Sequence, residues 1–174
     1  MKRKQDAVRT ARYEELTRQY GGLMAKVCYL YAGPGASFED LYQETLINLW
    51  LGLESYRGEA KASTWIYRLA LNTCITWHRK NDRHTGSGMT DVEAAFGLSD
   101  TAMDPGARAE QLEQLQMLHS MIADLNPIDK AIITLWLDER PYEEISAVTG
   151  LSKNNVGVRL TRIKNQLIEK GKTL

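Results

Sequence analysis

The sequence predicts an all-α protein with two small helical domains joined by a flexible acidic linker. Apolar residues recur every three or four positions near both ends of the chain, and the alternating pattern of a half-buried strand is missing. With 174 residues, the chain can form one ordinary domain or two small ones. Its 43% hydrophobic and 25% charged residues exclude collagen-like, wholly disordered and disulfide-framework proteins.

Charge divides the chain into three blocks. Residues 1–85 carry 13 basic and 9 acidic side chains, residues 86–125 carry one basic against seven acidic, and residues 126–174 carry 8 basic and 6 acidic. The acidic block begins with a Gly-Ser-Gly run and has few large apolar residues at first, which favours a tether. We therefore expect a domain over 1–85, a flexible acidic linker over 86–107, and a helix-turn-helix domain over 108–174.

Two helices are predicted in the first domain. Ser37 is a candidate N-cap for a helix with Asp40 in its first turn. The predicted core face of this helix comprises Tyr42, Leu46, Leu49, Trp50 and Leu53. A second helix is predicted to start near Thr64, and its core face comprises Ile66, Leu69, Ala70, Thr73 and Trp77.

The second domain begins with a strong helix-start signal. Asn126 precedes Pro127, which suits a first helical turn, and Asp129 can accept hydrogen bonds from free amides there. This helix is predicted to run to about Leu137.

A short helix, a glycine turn and a longer helix follow in the second domain. The short helix is predicted from Pro141 to Thr149, where Gly150 can adopt the left-handed conformation that ends it. Ser152 is a candidate N-cap for the longer helix, which is predicted to run to about Ile168. This order is that of a helix-turn-helix motif.

The last predicted helix is a candidate for binding duplex DNA. From Ser152 to Lys172 it carries six basic residues and one acidic residue. Such a helix can lie in a major groove, where Arg and Asn reach base edges and Lys reaches phosphates. The alternative is a solvated charged face on a bundle helix. The cap, the glycine turn and the polar N-terminal half favour DNA.

The second helix of the first domain is a candidate for binding single-stranded nucleic acid. Opposite its apolar face it carries basic and amide residues, with aromatic residues close by: Arg68, Asn72, Arg79, Arg83, Trp65, Tyr67 and Trp77. Aromatic rings can stack on exposed bases while guanidinium groups bind phosphates. The alternative, that the tryptophans are core residues and the arginines only aid solubility, stays open.

The first helix of that domain has an unusual outer face. It combines acidic and amide groups with apolar ones: Asp40, Gln43, Glu44, Ile47 and Leu51. Apolar groups rimmed by polar ones suggest a protein interface. A second buried face in a compact bundle would explain Ile47 and Leu51 equally well.

We predict no catalytic residue, no metal site and no cofactor. The three histidines stand apart from any pattern of a nucleophile and its base, and no glycine-rich phosphate loop precedes a helix. Cys28 and Cys74 lie in apolar-periodic stretches, which favours buried small hydrophobic residues over a disulfide or a metal site. The charged N-terminus lacks the apolar stretch of a secretory signal, and no run approaches the length of a membrane span, so we expect a cytoplasmic protein.

These three stretches, in this order around an acidic linker, resemble the extracytoplasmic-function sigma factors of the sigma-70 family. DLYQETLINLW resembles the polymerase-binding helix, which implies contacts by Asp40, Leu41, Gln43, Glu44, Ile47 and Trp50. WIYRLALNTCITWHRK is similar to the helix that opens and reads the minus-ten element, which implies contacts by Trp65, Arg68, Asn72, Trp77, Arg79 and Arg83. The C-terminal helix-turn-helix resembles the reader of the minus-thirty-five element, which implies contacts by Lys153, Asn154, Asn155, Arg159 and Arg162.

The resemblance implies a promoter-specificity subunit that directs core RNA polymerase to promoter DNA and nucleates strand opening. Its expected partners are the beta-prime clamp and beta flap of the polymerase, promoter DNA and, as in many family members, an anti-sigma factor. The alternative is a stand-alone helix-turn-helix regulator; a DNA-processing enzyme would need a nucleophile or a metal-carboxylate cluster. The sequence departs from common family residues at Thr76, Ser146, Asn155 and Val158, so base preferences cannot be copied from other members.

Overall fold

The computed structural model describes residues 2–33, 35–81 and 105–171 of the protein. Within these ranges the chain forms seven α-helices, and its extended pairing is limited to a one-residue bridge between Gly33 and Ala36. The helices are α1 (Lys2–Tyr31), α2 (Phe38–Gly52), α3 (Ala62–Asn81), α4 (Pro105–Ile122), α5 (Pro127–Leu137), α6 (Tyr142–Thr149) and α7 (Lys153–Gly171). The prediction of an all-α protein is confirmed.

The chain divides into two compact units, one ending at Glu113 and the other beginning at Gln114. Helix α4 starts at Pro105, within the stretch predicted as a linker, and it crosses the boundary between the units. A proline suits this first helical position because its missing N–H would have no partner there. The rest of the predicted linker, residues 86–104, lies outside the described residues.

The N-terminal unit is a three-helix packing of α1, α2 and α3, each of which contacts the other two. Its largest fully buried side chains are Met24, Leu30, Leu41, Leu49, Ile66 and Leu71. Helix α2 begins as predicted, since the Asp40 N–H donates to Ser37 Oγ at 3.1 Å. Helix α3 begins two residues before the predicted start at Thr64.

The buried face of α2 differs from the predicted one. The buried residues are Phe38, Leu41, Tyr42, Thr45 and Leu49, whereas Leu46 and Trp50 are only half-buried. Thr45 can be fully buried because its hydroxyl donates to the Leu41 carbonyl at 2.7 Å. Because this polar residue lies at the centre of the core face, the apolar residues of the sequence alone indicate a face that is displaced to one side of the buried one.

The C-terminal unit is built on α5, α6 and α7, which pack against one another. Helix α5 starts at its predicted cap, because the Asp129 N–H donates to Asn126 Oδ1 at 3.0 Å. Helix α6 ends at Gly150, whose φ of 74° is left-handed and suits glycine. Helix α7 starts with the Asn155 N–H donating to Ser152 Oγ at 3.3 Å. The predicted helix-turn-helix is thus confirmed.

The apolar face of α7 is also as predicted. Val156, Leu160 and Ile163 are at most 1% exposed, and Leu167 is half-buried. In the described parts of the chain, we find no helix with both the length and the apolar character that crossing a membrane requires.

Candidate nucleic-acid interface

A groove of about 560 Å³ lies between α2 and α3 in the N-terminal unit. Carboxylate, amide, hydroxyl, cationic and aromatic side chains all line it. They include Glu44, Asn48, Ser55, Trp65, Arg68, Leu69, Asn72, Thr73, Thr76, Trp77 and Lys80. Four of the six residues predicted for the minus-ten element therefore share one groove, because α3 presents them at helical spacing. Arg79 is exposed on the same helix, and Arg83 lies outside the described residues.

Trp65 is half-buried at one end of this groove. Its ring stacks on Tyr56 with centroids 4.4 Å apart and an interplanar angle of 20°. Gly52 allows this position, since a Cβ there would lie only 3.2 Å from Trp65 Cζ2. The guanidinium of Arg12 lies over the Tyr56 ring, 5.2 Å from its centroid. Trp65 is therefore a fixed part of the groove, with part of its ring surface already covered.

Trp77 is half-buried in the same groove and is anchored through its indole nitrogen. The Nε1–H donates to the Gly35 carbonyl at 3.4 Å. The next residue, His78, donates from Nε2 to the Tyr31 carbonyl at 2.6 Å, so it ties α3 to α1. Both rings hold the end of α3 in place, so His78 has a structural role in the N-terminal unit.

The floor of the groove is a polar link between the two helices. Asn48 Nδ2 donates to Thr73 Oγ1 at 3.0 Å, and Thr73 in turn donates to the Leu69 carbonyl at 2.9 Å. These bonds satisfy the buried threonine and set the spacing of α2 and α3. Arg68 and Asn72 stand exposed above this link, while Tyr67 is only 5% exposed and faces the core.

The outer face of α2 is exposed, which decides between the two interpretations of its apolar residues. Ile47 is 53% and Leu51 is 62% exposed, so they do not form a second buried face. Asp40 and Gln43 are exposed beside them, and Glu44 is half-buried. This combination is typical of a protein interface.

Two residues predicted to bind polymerase are wholly or partly covered by the protein itself. Leu41 is 0% exposed and belongs to the core, so its side chain has no surface to offer a partner. Trp50 is half-buried beneath α1: the Arg9 guanidinium lies 4.3 Å from its ring centroid, and Tyr13 meets it edge-on at 5.4 Å. Leu41 can therefore affect polymerase binding only by stabilising the fold, and Trp50 can offer a partner only part of its ring.

The N-terminal half of α7 presents polar side chains to solvent. Lys153, Asn154 and Asn155, three of the residues predicted to contact the minus-thirty-five element, are exposed. Lys153 Nζ donates to Glu143 Oε1 at 2.6 Å, and this hydrogen bond lowers the pKa of Glu143. The pair links the first turns of α6 and α7, the two helices of the helix-turn-helix.

Arg159 and Arg162 do not simply project into solvent, because both bind Asp129 on α5. Arg159 Nη1 donates to Asp129 Oδ1 at 2.9 Å, and Arg162 Nη2 donates to Asp129 Oδ2 at 2.8 Å. Asn126 Nδ2 also donates to Asp129 Oδ2, at 2.6 Å. The Asp129 side chain is 4% exposed, against 36% for Arg159 and 62% for Arg162. The carboxylate thus fixes two guanidinium groups that still reach solvent.

An apolar groove of about 370 Å³, which was not predicted from the sequence, lies on the C-terminal unit. It is lined by Gln114, Met117, Leu118, Met121, Ile122, Ile133, Trp136, Leu137, Lys164, Leu167 and Ile168. Four of these side chains are notably exposed: Met117 (66%), Met121 (39%), Leu137 (49%) and Ile168 (56%). Lys164 Nζ lies 3.6 Å from the centroid of the Trp136 ring. The apolar spacing of residues 114–122 was the sequence pattern from which this groove could have been predicted.

The two cysteines are free and lie in the core of the N-terminal unit, as expected of small buried hydrophobic residues. Cys28 lies 3.4 Å from Thr45 Oγ1. A hydrogen bond with Cys28, together with burial, raises the pKa of the Cys74 thiol well above its usual range. No group of three or more histidine, cysteine or acidic side chains is placed to bind a metal ion within 2–33, 35–81 and 105–171.

Comparison with known proteins assigns both units to one family. Residues 16–84 match Sigma-70 region 2, and residues 115–167 match Sigma-70, region 4. The chain is similar to the RNA polymerase sigma factor YlaC of Bacillus subtilis, with 27% identity over 156 residues, which cover 88% of each chain. It is also similar to the ECF RNA polymerase sigma-E factor of Escherichia coli K12, with 29% identity over 143 residues, or 79% of this chain and 75% of that protein.

A solved structure shares the fold. CnrH, in complex with the cytosolic domain of CnrY, superposes with a TM-score of 0.63 at 19% identity, covering 94% of this chain and 90% of CnrH. The two matched regions occur in the chain order of the two helical units described above. The chain therefore belongs to the sigma-70 family, as an RNA polymerase sigma factor of the extracytoplasmic-function type.

Proposed function

We propose that this sigma factor directs core RNA polymerase to its promoters by dividing the work among three surfaces. The groove between α2 and α3 captures a non-template base, the outer face of α2 docks on the polymerase, and α7 reads the upstream duplex. The mechanism is recruitment and strand capture, without covalent chemistry by this chain. The observation that carries the proposal is the groove, where two anchored indoles lie beside exposed Arg68 and Asn72.

Strand capture requires that the groove offset the cost of unstacking a base. Extruding a base costs a few kcal/mol, and stacking on an aromatic ring contributes about 1–3 kcal/mol per base. Trp77 is held by its hydrogen bond to the Gly35 carbonyl, so little conformational entropy is lost when a base stacks on it. Asn72 offers both a donor and an acceptor to a base edge, and Arg68 offers a cation to the backbone. We therefore propose that capture of one base nucleates melting.

Docking on the beta-prime clamp is proposed for the outer face of α2. Asp40 and Gln43 supply polar contacts at the rim, and Ile47 supplies exposed apolar area. Because Glu44 also lines the α2–α3 groove, the docking face and the capture groove share the same helix. Polymerase binding would therefore hold the groove at a fixed place relative to the DNA strands.

The apolar groove of the C-terminal unit is the proposed contact for the beta flap. Its walls are almost entirely apolar, and Met117 and Met121 stand exposed at its edge. Methionine side chains adapt readily to the shape of an apolar partner. Such a contact would hold α7 against DNA while the N-terminal unit engages the strands.

An anti-sigma factor is proposed as a regulatory partner, and the cytoplasm as the place of action. CnrH, which shares this fold, was solved with the cytosolic domain of a second protein bound. A partner that covers the docking faces would keep this chain from polymerase until it is released.

Run-off transcription with purified core polymerase on a genomic DNA library tests the proposal. Adding the chain should direct initiation to a defined set of start sites, and the two proteins should co-elute in gel filtration. The same start sites at the same yield without the chain would contradict the proposal. Specific DNA binding by the chain alone, with no polymerase complex, would support the stand-alone regulator instead.

A further inference from the structure

Val158 on α7 has an exposure that the fold does not explain. It is 72% exposed, more than any other large apolar side chain in the described parts of the chain. The core face of α7 is already formed by Val156, Leu160 and Ile163, which are at most 1% exposed. Val158 therefore contributes little to the packing of the C-terminal unit.

The neighbours of Val158 on the helix surface are polar. Residues three and four positions away share a helix face, and here these are Asn154, Asn155, Thr161 and Arg162. All four are exposed, and Arg162 is held in place by Asp129. Val158 thus lies at the centre of a polar surface that the proposed function places against the upstream duplex.

Base pairs display one apolar group in the major groove, the C5-methyl group of thymine. We infer that Val158 is a specificity-determining residue that contacts a thymine methyl group in the upstream element, an inference that rests on the proposed function. The adjacent asparagines fit this assignment, because an asparagine side chain can bind adenine N6 and N7 together. The surface around Val158 is therefore suited to an A·T pair, with the methyl group against the valine.

The inference can be tested by removing only the methyl group from the DNA. Duplexes that bind the holoenzyme of this chain and core polymerase are selected from a random pool, which defines the upstream element. Each thymine of that element is then replaced in turn by 2′-deoxyuridine, which keeps every hydrogen-bonding group and lacks the C5-methyl. Competition binding measures the affinity of wild-type and Val158→Ala holoenzymes for every duplex.

We expect one thymine position at which deoxyuridine weakens wild-type binding about fourfold, the value of one buried methyl group. Val158→Ala should bind the thymine duplex about as weakly as wild type binds the deoxyuridine duplex, and it should not distinguish the two. Val8→Ala is the matched control, because Val8 is 64% exposed on α1 and lies in the other unit. It should retain the full wild-type discrimination.

Three results would overturn the inference: an upstream element without thymine, equal wild-type affinity for all duplexes, or unchanged discrimination in Val158→Ala. Failure of the proposed function looks different, because then no holoenzyme forms or no upstream element is selected. An Arg162→Ala holoenzyme tests the proposed function separately from the inference about Val158. It should lose affinity for thymine and deoxyuridine duplexes alike, whether or not Val158 contacts a methyl group.

Discussion

The arginines of α3 and those of α7 are presented in different ways. Arg68 and Arg79 are exposed on α3, whereas Arg159 and Arg162 are held from below by the buried carboxylate of Asp129. A duplex has a regular surface, so guanidinium groups fixed before binding lose less entropy when they reach it. A melted strand has no fixed shape, and solvent-exposed arginines beside anchored aromatic rings suit it better. The two surfaces thus differ in the way that their proposed targets differ.

The largest expected effect comes from removing the carboxylate that fixes the α7 arginines. In Asp129→Asn, we expect affinity for the upstream duplex to fall at least tenfold, because both guanidinium groups lose their common anchor. Each arginine keeps a third or more of its side chain in solvent, so the free energy of unfolding should fall by only about 1–2 kcal/mol. Holoenzyme binding to duplex DNA and thermal unfolding followed by circular dichroism measure the two effects.

Glu139→Gln provides the control, since it neutralises an exposed carboxylate two residues beyond the end of the same helix. It should change neither quantity appreciably. Tighter DNA binding by Asp129→Asn would contradict the comparison, because it would mean that the carboxylate competes with DNA for the arginines.

Arg159→Ala and Arg162→Ala should each weaken promoter recognition and leave polymerase binding intact. Loss of polymerase binding in either variant would show that α7 has been assigned the wrong partner.

The second effect concerns the groove and should depend on strand opening. Replacing Arg68 and Asn72 together by alanine should lower the yield of open complexes about tenfold, because one base contact and one phosphate contact are lost. Affinity for the upstream duplex alone should stay at the wild-type value. Permanganate footprinting measures the opening, and Arg18→Ala, an exposed arginine on α1, serves as the control. If the variant lost open-complex yield and affinity for the upstream duplex to the same extent, the two surfaces would not differ in their targets.

A smaller effect is expected at the docking face of α2. Asp40→Ala combined with Gln43→Ala should weaken the complex with core polymerase about fivefold, since rim contacts usually contribute modestly. Circular dichroism should be unchanged because both side chains are exposed. Glu15→Ala combined with Gln19→Ala removes an exposed acid and an exposed amide from α1 and should have no effect. A loss of helical signal in the α2 variant would mean that this face supports the fold.

The smallest effect concerns the exposed ion pairs, in contrast to the buried Asp129. The hydrogen bond from Lys153 lowers the pKa of Glu143, and the one from Lys170 lowers the pKa of Asp124. A carboxyl group whose pKa is lower in the folded state adds stability above its unfolded pKa, and this stability is lost as the pH falls through the folded pKa. Lys153→Met should raise the pKa of Glu143 in an NMR titration and leave that of Asp124 unchanged. Equal shifts at both carboxyl groups would indicate a general charge effect.

Local signals in the sequence predicted much of the fold. The caps at Ser37 and Asn126, the glycine turn at Gly150 and the apolar stripe of α7 were all predicted, because each depends on residues within one or two helical turns. The core face of α2 was partly wrong, since nothing local indicates that Thr45 satisfies its hydroxyl inside the helix. Arg68 and Asn72 were predicted opposite the apolar face of α3 and are exposed, whereas Trp77, predicted on the core face, is only half-buried and lines the groove with Trp65, Arg68 and Asn72. Their shared groove with α2 depends on packing that the spacing of α3 alone does not specify.

The sequence by itself determined the all-α class, the two-part organisation, the helix-turn-helix and the basic character of α7. Only the tertiary structure decided that Leu41 is core, that Ile47 is exposed and that an apolar groove forms on the C-terminal unit. It also decided that Asp129, 30 residues before Arg159, anchors that arginine. The physical reason is range: caps and periodicity act along one helix, whereas burial and ion pairing depend on which helices pack together.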